Sequence, residues 1–238
     1  MKKKDSSPYV FQRKSIGFEL KVKELPWTDK QKDFIEMALS KDTKVLFVKG
    51  PAGTSKTLLA MYCSLVLLKE KHISDILLIR SAVESSDSKL GFLPGDLNEK
   101  MNAYMSPFND KLEELTDKNA QELLHKDKRL ITTAVNYVRG ASWSGKGVIV
   151  DEGQNITEKE FKTILTRIGE FSKVFVCGDP EQSDLNGKGG GFMKLYNHFD
   201  SGEARAHGIY TFEFTELDIV RSELVKYFIS AFREIEKK

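Results

Sequence analysis

The sequence predicts an α/β protein in which a parallel sheet is covered by helices on both faces. Three observations carry this. Six short apolar runs alternate with longer segments of helical periodicity, the pattern of strand-helix-strand units. The runs are apolar almost throughout, as strands buried on both faces must be. The first run ends in a glycine-rich turn that feeds a helix, FVKGPAGTSKTLLA over residues 47–60.

The elements follow in chain order. Residues 1–25 hold seven Lys/Arg against three Asp/Glu, leaving the rest mildly acidic at 30 against 32. This basic arm reads as a solvated tail or as a supplement to phosphate contacts. A helix is expected over 29–40 (DKQKDFIEMALS), then a strand over 44–48 (KVLFV), the turn, and a helix over 54–70. Further strands are expected at 75–80 (DILLIR), 129–133 (RLITT), 147–151 (GVIVD), 173–179 (KVFVCGD) and 209–215 (IYTFEFT). Helical patterns fill 97–116, broken near Pro107, then 157–168 and 222–237. Thr157 and Glu160 stand at capping-box spacing at the start of the helix over 157–168. NGKGGG, residues 186–191, carries four glycines in six and is expected to hold no regular element. One domain over 26–238 preceded by the arm is the economical organisation.

Composition excludes several classes. With 238 residues, 40% apolar and 30% charged, the chain buries a sizeable core. No stretch approaches the ~18 apolar residues of a membrane span, and MKKKDSSPYV is not followed by an apolar run. The expected location is the cytoplasm, a host's cytoplasm if the chain is phage-encoded. Cys63 and Cys177 are too few for a disulfide frame or a zinc site and are expected as buried thiols. His72, His125, His198 and His207 lack metal-ligand spacing.

Residues 50–57, GPAGTSKT, nearly match the phosphate-binding pattern G-x-x-x-x-G-K-[ST]. Such a turn wraps phosphates with backbone N–H groups, helped by the partial positive charge of the following helix N-terminus. The binding residues are then Gly50, Pro51, Ala52, Gly53, Thr54, Ser55, Lys56 and Thr57. Lys56 would neutralise phosphate oxygens and the Thr57 hydroxyl would ligate Mg²⁺. Ser55 stands where a glycine is usual. Its backbone is expected to be near-helical, without a positive φ, so that a Cβ is tolerated and the cost is crowding of the phosphate.

VIVDEGQN, residues 148–155, places Asp151 and Glu152 at the end of an apolar strand. Asp151 would hold Mg²⁺ through water, and Glu152 would act as general base on the attacking water. Alone, two carboxylates at a strand end are also common as helix caps or surface charge. VFVCGDPEQSDL, residues 174–185, follows the next strand, and its Gln182 would reach the γ-phosphate or the water. Alone, this stretch is equally a plain turn.

These motifs, with SAVESSDSKLGFLPGDLNEKMNAYMSPFNDKL (81–112), DEGQN (151–155), GDPEQSDL (178–185) and DIVRSELV (218–225), resemble the PhoH-like ATPases. These are P-loop NTPases with a RecA-like parallel sheet, similar to the first domain of superfamily 1 helicases. The resemblance covers roughly 26–233. It implies ATP and Mg²⁺ as ligands, ATP hydrolysis as the activity, and single-stranded RNA as a partner. It also implies a homo-oligomeric ring, a hexamer among the arrangements. Bacterial members commonly carry a further RNA-binding-type region, and this chain looks like the shorter, phage-type version. PWTDKQ (26–31) resembles the upstream glutamine motif, which makes Gln31 the candidate adenine reader. Arg221 matches the family arginine that meets the γ-phosphate of its own or a neighbouring subunit. Arg80 and Arg139-Gly140 match positions on the face expected to meet nucleic acid, with a surface salt bridge as the equal alternative. Gly153 replaces the usual alanine and is expected to loosen the strand end.

Three activities compete. An ATPase leads. A P-loop small-molecule kinase would need an Arg-rich lid, where this sequence offers a glycine-rich stretch with Lys188. An ATP-dependent switch or assembly subunit with little turnover is kept open by Ser55.

Overall fold

The structure, a computed structural model, describes residues 16–81, 108–135, 138, 142–183 and 190–236. Residues 1–15, the KLGFLPGDL segment, residues 97–107 of an expected helix, Arg139-Gly140 and residues 184–189 lie outside the described residues.

All six expected strands form: β1 (Val45–Lys49), β2 (Asp75–Arg80), β3 (Leu130–Ala134), β4 (Lys146–Asp151), β5 (Lys173–Gly178) and β6 (Ile209–Glu213). They make one sheet in the order β3-β2-β4-β5-β1-β6, with every pairing parallel. The helices are α1 (Asp29–Leu39), α2 (Lys56–Lys69), α3 (residues 108–115), α4 (Lys118–Lys126), α5 (Glu158–Leu165), α6 (Gly191–Phe199), α7 (Gly202–Ala206) and α8 (Glu223–Glu236).

The period of two along each strand divides the apolar residues between two cores. Leu46, Val48, Ile76, Leu78, Ile149 and Phe175 face α1 to α4, meeting Phe34, Leu59, Leu65, Phe108 and Leu124. Val45, Phe47, Leu77, Ile79, Val148 and Val174 face α5 and α6, meeting Phe161, Ile164, Phe192 and Tyr196. Both faces being covered explains why the strands read as unbroken apolar runs. α2 is buried around most of its circumference, from Leu58 to Leu68, and accordingly lacks a polar face in its sequence. The expected capping box of Thr157 with Glu160 forms at α5, and a second, Thr28 with Gln31, starts α1. Cys63 and Cys177 are buried free thiols.

Three departures from the sequence reading have physical causes. Residues 16–25, the second half of the expected arm, pack on the body: Leu20 is buried, and the Lys23 N–H donates to the Leu115 carbonyl. α6 begins at Gly191, the last residue of the glycine-rich stretch, where the backbone lies against α5. A Cβ there would meet the Glu158 nitrogen at 2.8 Å. α4 and α7 are additional short helices of nine and five residues, N-capped by Asp117 and Ser201. Among the described residues no helix is long and apolar enough to cross a membrane.

Candidate active site

Because the strands are parallel and β5 lies between β1 and β4, the segments leaving these three strands emerge side by side at one edge of the sheet. Ligands of open α/β sheets bind outside such carboxyl ends. Here the segments enclose a cavity of about 590 Å³, lined by Ala52, Gly53, Ser55, Lys56 and Thr57 on one side. Arg80, Asp151, Glu152, Gln154, Asp179 and Gln182 also line it, as does Arg221.

The turn after β1 is shaped by its own hydrogen bonds. Thr54 Oγ1 donates to the Pro51 carbonyl at 2.9 Å, and Lys56 Nζ donates to the carbonyls of Gly50 at 2.7 Å and Pro51 at 2.9 Å. Gly50, Pro51 and Thr54 therefore build the loop without forming the cavity wall. Gly50 is needed for packing, since a Cβ would stand 2.7 Å from Phe214 Cβ. Gly53, at φ +85, takes a left-handed conformation open to glycine.

Ser55 does not have the near-helical backbone expected of it. It is the N-cap of α2 at φ 64 and ψ 20, with no side-chain cap bond, while its carbonyl accepts the Leu59 N–H at 2.9 Å. The chain turns from loop into helix at this one residue, and the left-handed region achieves that. A Cβ costs about 1 kcal/mol in this region relative to glycine. The absent glycine is felt as backbone strain in the loop.

Thr57, in the first turn of α2, donates its hydroxyl to Asp151 Oδ1 at 2.6 Å. Asp151 ends β4 and is 7% exposed. Burial pushes its carboxyl above the usual aspartate value; the Thr57 bond opposes this and neighbouring Glu152 reinforces it. Burial likewise pushes the Lys56 ammonium below the lysine value of 10.5, outweighing the pull of Asp179, Asp151 and Glu152. The Asp179 carboxyl is also raised by burial, although it accepts N–H groups from Glu181 and Ala52 and lies near Lys56. The cavity is thus a place where an ammonium and two carboxylates are poorly hydrated and lack full compensation, which suits a highly charged ligand.

Glu152 takes a left-handed backbone, φ 53 and ψ 43, rare for a side chain of this size and concentrated at functional sites. Its Oε1 lies 3.3 Å from Arg80 Nη2, and its Oε2 accepts Gln154 Nε2 at 2.6 Å. Arg80 thus pairs with Glu152 inside this cavity. Gly153 is not a point of freedom: it is buried in a 3-10 turn, and a Cβ would stand 3.0 Å from both the Cys177 carbonyl and the Phe192 ring.

Gln182 reaches the cavity from the 3-10 turn after β5. Arg221 lies over the loop of its own chain: a Cβ on Gly53 would meet Arg221 Cγ at 3.0 Å, and the Val220 N–H donates to the Gly53 carbonyl at 3.0 Å. Gln31 stands off the cavity wall, 3% exposed, its Oε1 accepting the Thr28 N–H at 3.0 Å. A groove of about 410 Å³ lined by Thr28, Lys30 and residues 217–221 shares Val220 and Arg221 with the cavity.

A family model described as PhoH-like protein matches residues 24–233. The chain belongs to the PhoH-like family. A PhoH-like protein of Mycobacterium leprae is 35% identical over 216 residues, covering 89% of this chain and 59% of that protein. One of Bacillus subtilis is 36% identical over 202 residues, covering 85% and 61%. The chain therefore spans about three-fifths of the length of these curated relatives. Among solved structures, the Sulfolobus solfataricus SWI2/SNF2 ATPase core in complex with dsDNA aligns at TM-score 0.46 and 14% identity, covering 87% of this chain and 47% of that one. Membership and the six-stranded parallel sheet give this PhoH-like domain the P-loop NTPase fold.

Asp179, Gln154, Arg80 and the α3 residues Asp110, Lys111 and Glu114 line the cavity, although sequence reasoning does not assign them to it. Asp179 and Gln154 stand inside the GDPEQ and DEGQN motifs, and a polar residue just beyond an apolar strand is the local signal that marks both. Nothing local marks α3, which reaches the cavity through tertiary packing.

Proposed function

We propose that this PhoH-like domain binds Mg·ATP in the cavity at the carboxyl edge of its sheet and hydrolyses it. The observation that carries this is the convergence of Lys56, the Thr57–Asp151 pair and Glu152 on one cavity of about 590 Å³, within the usual range for a small-molecule site. Thr57 and Asp151 offer a hydroxyl and a carboxylate in direct contact, oxygen donors that fit Mg²⁺, which is held by one or two protein groups plus phosphates. Bound there, Mg²⁺ would neutralise charge on the phosphate oxygens.

The chain's own residues account for the remaining chemistry. Lys56 exchanges its bonds to the Gly50 and Pro51 carbonyls for phosphate oxygens, which restores the charge that burial disfavours. Glu152 accepts a proton from the attacking water. Gln182 orients that water or the γ-phosphate, and Arg221, lying over its own P-loop, offsets charge developing on the phosphates. The adenine we place in the groove beside Thr28 and Lys30, next to Gln31, whose role as reader rests on the family resemblance.

Single-stranded RNA as a partner rests on the family alone. Assembly of identical subunits rests on the family resemblance too; it would cover the exposed apolar face of α8, where Leu224, Tyr227, Phe228 and Phe232 stand at helical spacing. Phosphate release measured with Mg²⁺, with and without RNA, tests the proposal. Mg²⁺-dependent turnover is expected; stoichiometric ATP binding without turnover would leave the switch reading in its place.

A further inference from the structure

Gln154 is 3% exposed, yet its side chain and carbonyl meet four polar partners around the cavity. Nε2 donates to Glu152 Oε2 at 2.6 Å and lies 3.4 Å from the Gln182 carbonyl. Oε1 accepts the Asp179 N–H at 2.9 Å, and the Gln154 carbonyl accepts Ser183 Oγ at 3.3 Å. One buried carboxamide thus touches the carboxylate at the end of β4 and both ends of the turn after β5. A carboxamide is the neutral side chain that donates and accepts at once, and both capacities are used.

We infer that Gln154 is a positioning residue for hydrolysis: it fixes the Glu152 carboxylate and couples it to the turn that carries Asp179 and Gln182. This rests on the ATPase reading above. Glu152 needs such a tether because its side chain has three rotatable bonds and it follows the last residue of β4 in a strained conformation. Its other oxygen meets Arg80 at 3.3 Å, with the two side chains 29% and 35% exposed. That contact is longer than the part-buried, charge-assisted bond of 2.6 Å from Gln154, whose own side chain is buried, so Gln154 dominates the placement. Movement of the 179–183 turn is passed to Glu152 through the same group.

Gln154→Met keeps length and bulk while removing both hydrogen-bonding functions. Misplacing a reacting group by about 1 Å costs up to ~10²-fold, so kcat for ATP is expected to fall about 10- to 100-fold, with ADP affinity unchanged within about twofold. A structural role alone would lower ADP affinity and thermal stability instead. In a Glu152→Gln background the same substitution should add no further loss, because residues acting through one group are not additive. Should Gln154→Met fail to fold, Gln154→Glu retains the acceptor for Asp179 but sets a carboxylate against Glu152, and the same loss of kcat is expected. Unchanged turnover in whichever variant folds, or an undiminished additional loss in the double variant, overturns the inference. An inert parent chain refutes the ATPase reading and this inference with it; an active parent with unaffected Gln154 variants refutes the inference alone.

Discussion

The Thr57 hydroxyl and the Asp151 carboxylate meet at 2.6 Å, joining the first turn of α2 to the last residue of β4 across 94 positions of sequence. If this pair holds Mg²⁺, Asp151→Asn should make nucleotide binding indifferent to Mg²⁺ and lower turnover by about 10²-fold, or ~2.7 kcal/mol. Burial raises the Asp151 carboxyl above 3.8, so its charged form costs the fold free energy. The native state then holds more protons than the unfolded chain between 3.8 and the raised value. Stability falls as pH rises through that window and stays lowered above it. Asp151→Asn should therefore raise the neutral-pH Tm while abolishing metal dependence. Thermal melts and a Mg²⁺ titration of binding check both halves.

Lys56→Ala is expected to abolish ATP binding in a folded protein, as read by equilibrium titration and circular dichroism. Burial lowers the Lys56 ammonium below 10.5, while its bonds to the Gly50 and Pro51 carbonyls hold the loop. The native state holds fewer protons than the unfolded chain between the lowered value and 10.5, so stability rises with pH through that window. Phosphates reverse the shift, so binding takes up a proton there. ATP affinity of the parent should fall as pH climbs, starting below 10.5. Undiminished affinity in Lys56→Ala removes the lysine from the site.

Ser55→Gly tests the strained loop. Glycine accepts φ 64 without a Cβ penalty, so the variant should be more stable by up to about 1 kcal/mol. The backbone N–H groups of the loop and Lys56 are retained. Turnover or nucleotide affinity is expected to rise within about tenfold, ~1.4 kcal/mol. A thousandfold rescue of an inert parent would instead make serine a disabling substitution, in favour of the switch reading.

The strands and longer helices were legible because burial on both faces leaves a one-dimensional signature: unbroken apolar runs such as VIVD and periodic segments such as that of α2. The loop and the Asp151–Glu152 pair were legible as candidates because their residue types stand at fixed spacing after apolar strands, and the structure brings them to one cavity. The left-handed backbones of Ser55 and Glu152 were not, since φ depends on how the chain must leave one element and enter the next. Nor was the Arg80–Glu152 contact, which depends on β2 pairing with β4 so that Arg80 stands opposite Asp151. Asp110, Lys111 and Glu114 of α3 were hidden for the same reason: only packing of α3 against the sheet brings them to the cavity.

The most direct measurement is steady-state phosphate release by the parent and Glu152→Gln under identical Mg²⁺, with ATP affinity determined for both. The variant keeps the side chain's shape and removes the base. A catalytic Glu152 predicts equal ATP affinity and turnover lowered by roughly 10²–10⁴-fold. Equal turnover in the two proteins would contradict the account, leaving Glu152 as a strand-end carboxylate paired with Arg80 and Gln154.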